Sequence, residues 1–315
     1  MKFRTEVTPA ATSFSLSPER PVLLLGSCFV ENIGRMMRSS LWDADLNPCG
    51  IQYNPFSIAR VIRTALSGRC PDTEYFLHDG LWRNWLLPTS FTALTRQEAE
   101  ALADEAFAAL RNALLRASAV VVTFGTAFLY GLADSGRVVG NCHKVPQDRF
   151  RTRMASVDEI EALWTDLMAD LRRLNPDVKF IFTVSPVRHL RPSVRNNTLS
   201  KATLHLAVER LTALPDTEYF PAYELLTDDL RDYRFYADDM VHPSQQAVEY
   251  IWDKFCATYL TEPSRQLLEQ GARLRKRLDH RRLAPADGSP AQTDFERETD
   301  RILREFLAAH PAMKP

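Results

Sequence analysis

The sequence predicts an α/β domain built on a central, mostly parallel sheet with helices on both faces. Three short apolar runs, 21–25, 119–124 and 179–184, each stop abruptly, at Gly26-Ser27, Gly125-Thr126 and Ser185-Pro186. None shows the polar alternation of a half-exposed strand, so each reads as buried on both faces. Between them lie longer segments with apolar residues at helical spacing, the pattern of strand–helix–strand units. In such sheets ligands collect at the carboxyl ends of the strands, which places those three turns on the candidate active face.

Taken in order, Val22 to Leu25 form the first buried strand, and Val30, Ile33, Met36 and Met37 predict a helix starting just after Ser27. Asp43 to Pro55 is rich in turn residues, with Asn47-Pro48 and Asn54-Pro55. Ser57 to Leu66 predicts a helix stopped by Gly68, residues 75–91 an irregular excursion around Trp82 and Trp85, and residues 96–115 a further helix. Ala119 to Phe124 is the second buried strand. A helix over about 156–174 ends at Asn175-Pro176, and Lys179 to Val184 is the third strand. Helices follow from Leu199 to Leu211 and after His242-Pro243, where Val248, Ile251, Trp252, Phe255 and Tyr259 make one stripe. Beyond Leu260, residues 263–282 are strongly basic, 283–292 hold Pro, Gly, Ser and Ala, and 293–309 return to a helical pattern. The expected organisation is a domain over 1–262 and a helical appendage over 263–315 with a linker near 283–292. The terminal helix is expected to pack on the body or to mediate self-association.

Composition narrows the function. The 315 residues are 45% hydrophobic and 25% charged, with a net charge of -1, which excludes collagen-like, disordered and disulfide-scaffold classes. That balance gives no electrostatic footprint for nucleic acid, so none is expected as a partner. No run approaches the roughly 20 apolar residues of a membrane span, and residues 21–25 are too short for a signal-peptide core. Five cysteines, odd in number and without CxxC pairs, predict reduced thiols and a cytoplasmic protein. There are only 11 glycines beside 19 prolines, which draws attention to Gly26, Gly50, Gly125 and Gly140 as positions where the backbone requires them.

Two features carry chemistry. Ser27 lies between a buried strand and a helix N-terminus, where backbone N–H groups favour negative charge on a substrate oxygen; from position alone, helix capping is the commoner use of such a serine. Far along the chain, Asp238-Asp239-Met240-Val241-His242-Pro243 places a carboxylate three residues before a histidine. Asp239 can reach Nδ1 of His242 while Nε2 points outward as a base, with Asp238 competing for the orienting role.

Gly26-Ser27-Cys28-Phe29 resembles the signature of the GSCFA-domain family, a branch related to the SGNH/GDSL hydrolases. Asn47 to Pro55, Thr123 to Ala127, Gly140 to Pro146, Phe182 to His189, Leu230 to Tyr236 and Asp239 to Ser244 are similar to further stretches of that family, in the expected order over about residues 1–260. The resemblance implies a three-layer αβα sandwich, SGNH-hydrolase-like and flavodoxin-like. It also implies a serine esterase-type hydrolase with Ser27 as nucleophile, His242 as general base and Asp239 as orienting carboxylate. Superfamily oxyanion holes combine the nucleophile's own N–H, a glycine N–H and an asparagine after the third strand. Gly50 fits the glycine, but Ala127 stands where the asparagine is expected, leaving Asn141, Thr126 or His143 to substitute. His143 and His189 are candidates to contact a polar acyl or sugar group, with a structural role as the commoner fate. Cys28, beside Ser27, is an alternative nucleophile, but as the first residue after the turn it is expected to pack inward as a small apolar group. No cofactor and no metal are expected. The substrate class implied is a short-acyl ester of a carbohydrate or small molecule; the alternatives are an O-acyltransferase with the same triad and a catalytically inactive binding module.

Overall fold

The computed structural model describes residues 4–190, 193–283 and 290–315. Five parallel strands form the central sheet: β1 (Val22–Gly26), β2 (Ala44–Leu46), β5 (Ala119–Phe124), β9 (Lys179–Val184) and β10 (Thr217–Tyr219), in the order β10-β9-β5-β1-β2. Counted within this sheet alone, that is the 2-1-3-4-5 order of flavodoxin-like folds, whose topological switch point falls between β1 and β5. The register aligns the strand ends, since Gly26 pairs with Thr123 and Thr123 with Thr183. The turns beginning at Ser27, Gly125 and Ser185 therefore emerge side by side.

Alternation along the strands builds two cores. Leu23, Leu25, Val120, Val122, Phe124, Phe180, Phe182 and Val184 point to one face. That face is covered by α2 (Pro55–Ser67), α3 (Arg96–Arg116), α4 (Val157–Leu174) and α5 (Val194–Thr212). Val22, Leu24, Val121 and Ile181 point to the other, under α1 (Cys28–Arg38) and α7 (Gln245–Tyr259). The result is a three-layer αβα sandwich. The helix starts carry the expected chemistry. Asn54 caps α2 ahead of Pro55, and Thr95-Glu98 and Ser156-Glu159 form capping boxes on α3 and α4. Gly68, at φ 71°, ends α2.

The sequence pattern misses several elements. Strands β2 and β10, of three residues each, are edge strands within segments read as turn or loop. The excursion at 75–91 contains a hairpin, β3 (Tyr75–His78) with β4 (Leu81–Asn84). Between β5 and α4 the chain makes a three-stranded antiparallel sheet of β6 (Phe128–Leu132), β7 (Val138–Val139) and β8 (Phe150–Met154). The hairpin and this sheet share a cluster of Phe76, Trp85, Leu132, Val139 and Phe150. A short helix, α6 (Ala222–Glu224), follows β10.

The C-terminal segment folds as α8 (Glu262–Leu283) and α9 (Pro290–Ala309). Leu267 and Leu274 of α8 pack with Leu41 and Met313, against which Ile302, Leu303, Phe306 and Leu307 of α9 also rest. The central part of the expected linker, 284–289, lies outside the described residues. No helix among the described residues is long and apolar enough to cross a membrane.

Candidate active site

The site begins with Gly26. Its φ of 128° is open to glycine, and a Cβ there would sit 2.2 Å from the Thr123 carbonyl oxygen. This close approach lets the chain leave β1 tightly against β5 and turn directly into α1. Ser27 takes the N-cap position with extended dihedrals, but its side chain makes no capping bond. Its N–H donates to Thr123 O at 3.2 Å. Ser27 is only 2% exposed, and its Oγ is buried without a hydrogen-bond partner among the described residues. Against it lies Gly125, where an added Cβ would stand 3.2 Å from Ser27 Cβ.

Cys28, the first residue of α1, behaves differently from the inward packing expected of it. It is half-buried, and its Sγ lies 3.4 Å from His242 Nε2. Cys28 is already the first residue of α1 and Ser27 its N-cap, so neither follows the facing of the strand before them. Burial pushes the Cys28 thiol up, and Glu31 adds to that. The N–H groups of Cys28 and Phe29 and the positive charge of Lys201 work in the opposite direction.

His242 is held by its own loop. Its Nδ1 and Asp239 Oδ2 are 2.6 Å apart, while Asp239 Oδ1 accepts the N–H groups of Val241 and His242 at 2.9 Å each. These bonds hold the Asp239 carboxyl down to about 2, the two backbone donors contributing most. Both carboxylates are exposed, but it is Asp239, not Asp238, whose oxygen lies on His242 Nδ1. The loop closes through Ala237 N–H to His242 O at 2.8 Å, with Met240 left-handed at φ 57°. Ser244 then caps α7 by accepting the Ala247 N–H. On the neighbouring side, Arg188 N–H donates to Val241 O at 3.3 Å, tying the turn after β9 to the histidine loop.

The other expected contacts distribute unevenly. Gly50 N–H is spent on Asn47 O at 2.7 Å, and Thr126 N–H on Tyr53 O at 3.0 Å. Thr126 Oγ1 pairs with Ser200 Oγ at 3.1 Å and accepts the Phe128 N–H. Neither residue therefore presents the donor expected of it. Ala127, at the asparagine position, is fully buried, and its N–H donates to Ser200 Oγ at 2.7 Å. His143 is drawn away from the site. It sits 1% exposed with Nε2 2.8 Å from Asn84 O, edge-on to Phe76 and Trp85, and burial pulls its imidazole down to about 4. Asn141 Oδ1 accepts the His143 N–H at 2.7 Å, and no hydrogen bond joins Asn141 to Cys28 or His242 among the described residues. His189 is half-buried beside the Arg188 link, its N–H donating to Asn197 Oδ1 at 2.8 Å. Arg234 lies 4.0 Å from Asp232, and Arg188 lies over the Tyr236 ring. Among the described residues, no group of three His, Cys, Asp or Glu side chains is placed to hold a metal ion.

The family model described as "GSCFA family" matches residues 21–255, well over half of the chain. The chain belongs to the GSCFA family. Among curated proteins none matches it in sequence. Three solved structures resemble this GSCFA chain at 12% identity. A carbohydrate esterase family 3 protein from Talaromyces cellulolyticus has a TM-score of 0.35, covering 80% of this chain and 99% of that one. An acetyl esterase variant with acetate ion has a TM-score of 0.37 and the same coverages. An acetyl xylan esterase (Est2A) from the rumen bacterium Butyrivibrio proteoclasticus has a TM-score of 0.38, covering 87% and 66%.

The GSCFA fold also gathers residues that sequence reasoning passed over. Lys201 of α5 is buried beneath the site, its Nζ donating to Gly125 O at 2.7 Å and to Ser185 O at 2.6 Å. Burial pulls its ammonium down to about 7. The signal was present in sequence. Lys201 lies on the same helical stripe as Leu204, Val208 and Leu211, where a lysine is out of place unless partnered. Tyr53 joins the 47–55 stretch to the site. Its carbonyl accepts the N–H groups of Gly125 and Thr126, and its half-exposed phenol is pushed up by partial burial and by nearby Cys28 and Glu31.

Proposed function

We propose that the protein is an ester hydrolase that transfers the acyl group to a nucleophile at the N-terminus of α1. His242 serves as general base and then acid, and Asp239 as its orienting carboxylate. One observation carries this reading: the chain from Asp239 Oδ2 through the His242 ring to the first residue of α1, at the switch point of the parallel sheet. The carboxylate fixes the tautomer with the proton on Nδ1, which leaves the Nε2 lone pair facing the helix N-terminus. The N–H groups of Cys28 and Phe29, the first two of α1, have no intrahelical acceptors, and with the helix dipole they favour negative charge on the substrate oxygen as the tetrahedral intermediate forms. His242 then returns the proton to the leaving alkoxide, and a water activated by the same nitrogen releases the acid.

A short-acyl ester of a carbohydrate or small molecule is the substrate class this reading favours. It rests on the family resemblance and on the surface position of His242, whose side chain is 48% exposed. The test compares hydrolysis of p-nitrophenyl acetate by the wild type and by His242→Ala. The expected loss in kcat/KM is about 10²–10⁴-fold, the usual worth of a positioned general base. Equal rates in the two proteins would overturn the enzymatic reading in favour of a binding module. Added alcohols or sugars that divert acyl groups from water would reassign the same site to an O-acyltransferase.

A further inference from the structure

We propose that the nucleophile of this site is the Cys28 thiol, and that the acyl-enzyme is a thioester. The inference rests on the acyl-transfer reading above and assigns its reacting atom.

The geometry separates two adjacent side chains. Cys28 Sγ lies 3.4 Å from His242 Nε2, the nitrogen that Asp239 leaves free to take a proton. Ser27 Oγ is buried, is bonded to neither His242 nor the helix, and lies among Gly125 and the β5 end. A substrate carbonyl arriving from solvent meets the half-buried sulfur, whereas the serine hydroxyl is covered. Ser27 also spends its own N–H on β5, while the Cys28 N–H is the first of the helix and has no intrahelical acceptor. A nucleophile and an oxyanion donor on one residue therefore coincide at Cys28.

The surroundings of the thiol fit a base-assisted attack. His242 faces it from the loop before α7, Lys201 from α5, Tyr53 from the loop before α2 and Glu31 from its own helix, with Asp239 behind the imidazole. Burial and Glu31 keep the sulfur protonated at rest, so His242 takes the proton as the attack occurs. The C–S bond then forms, the carbonyl pair moves to oxygen and the S–H proton passes to Nε2. Collapse breaks the C–O bond to the alcohol, which leaves with that proton. Water, losing a proton to Nε2, attacks the thioester; the C–S bond breaks, the acid departs and the proton returns to sulfur.

The experiment treats the full-length protein and its Ser27→Ala, Cys28→Ala, Cys28→Ser and His242→Ala variants with p-nitrophenyl acetate, followed by acid quench and mass analysis. Circular dichroism confirms that each variant is folded. The expected result is an acetyl group on the Cys28 thiol that neutral hydroxylamine removes. The adduct should persist in Ser27→Ala, and Cys28→Ala should lose turnover by at least about 10²-fold. A hydroxylamine-stable oxygen ester on Ser27, with turnover surviving in Cys28→Ala, would overturn the inference and leave ester hydrolysis standing. If no His242-dependent turnover occurs, the acyl-transfer reading itself fails. Iodoacetamide then decides the state of the thiol: alkylation of Cys28 at least tenfold slower in His242→Ala supports an activated sulfur, and equal rates overturn it.

Discussion

Asp239 and His242 are both about half exposed, with side-chain exposures of 51% and 48%, so burial cannot be what fixes their geometry. Backbone bonds do: one carboxylate oxygen is held by two N–H groups of its own turn, which leaves the other aimed at Nδ1. Asp239→Asn keeps the size but can present an amide N–H to Nδ1, reversing the tautomer. It is expected to lower kcat on p-nitrophenyl acetate by about 10²–10⁴-fold with little change in KM; a change confined to KM would contradict the orienting role. The Asp239 carboxyl, normally near 4, is lowered to about 2 in the fold. Its contribution is therefore complete above the unfolded value and is lost only as pH falls through the folded one. An acid limb of the rate profile centred near 4 is therefore not expected from Asp239, and Asp239→Asn should leave such a limb in place. The Asp-x-x-His pair was legible in sequence because both partners lie in one six-residue turn. The facing of Ser27 and Cys28 was not, because neither lies in a periodic run: Ser27 is the N-cap and Cys28 the first residue of α1, just past the close approach of Gly26 to the Thr123 carbonyl.

At the level of elements, the three central strands were legible because continuous apolar runs have few other uses, whereas β2 and β10 are too short to display a period. The small sheet β7-β6-β8 escaped for another reason: its strands are short and partly exposed, with Asp134, Ser135 and Gly136 between β6 and β7, so the stretch reads as loop. Lys201 shows what holds these pieces at the active face. From α5 it bridges the carbonyls that follow β5 and β9, and burial lowers its pKa from 10.5 to about 7. Between those two values the unfolded chain binds the extra proton, so the cost of burying the charge falls as pH rises from the folded to the unfolded value. Lys201→Met removes that dependence but leaves two buried carbonyls unpaired, at a cost of about 1–3 kcal/mol each. Urea unfolding near neutral pH is expected to show a less stable variant, and comparison across the alkaline range a flatter pH slope. Unchanged stability with an unchanged slope would show that the ammonium is not the clasp between the turns.

For the molecule as a whole, α1 connects the site to the C-terminal helices. Cys28 starts it, and the 11 residues to Arg38 place its far end about 16 Å away at 1.5 Å per residue. Just past that end, α8 comes close to the backbone at Ser40, where a Cβ on Gly271 would stand 2.2 Å from the carbonyl oxygen. Around this contact Lys314 N–H donates to Leu41 O at 2.8 Å, the Lys314 ammonium and Arg116 pair with Asp43, and Leu41 packs with Leu267, Leu274 and Met313. The family match ends at residue 255, before these helices begin, and they dock onto the matched region through these contacts. Gly271→Ala tests the docking by setting two effects against each other. Helix propensity favours alanine by about 1 kcal/mol, while overpacking against a backbone atom costs roughly 1–3 kcal/mol or more. At 2.2 Å from a carbonyl that cannot rotate away, the steric cost should win. The variant is expected to have a lower thermal midpoint and an unchanged kcat/KM at 25 °C, because the His242–Cys28 contact lies at the opposite end of α1. A raised midpoint would mean that α8 does not bear on Ser40; reduced activity at full stability would mean that the docked helices set the position of α1, and with it the thiol.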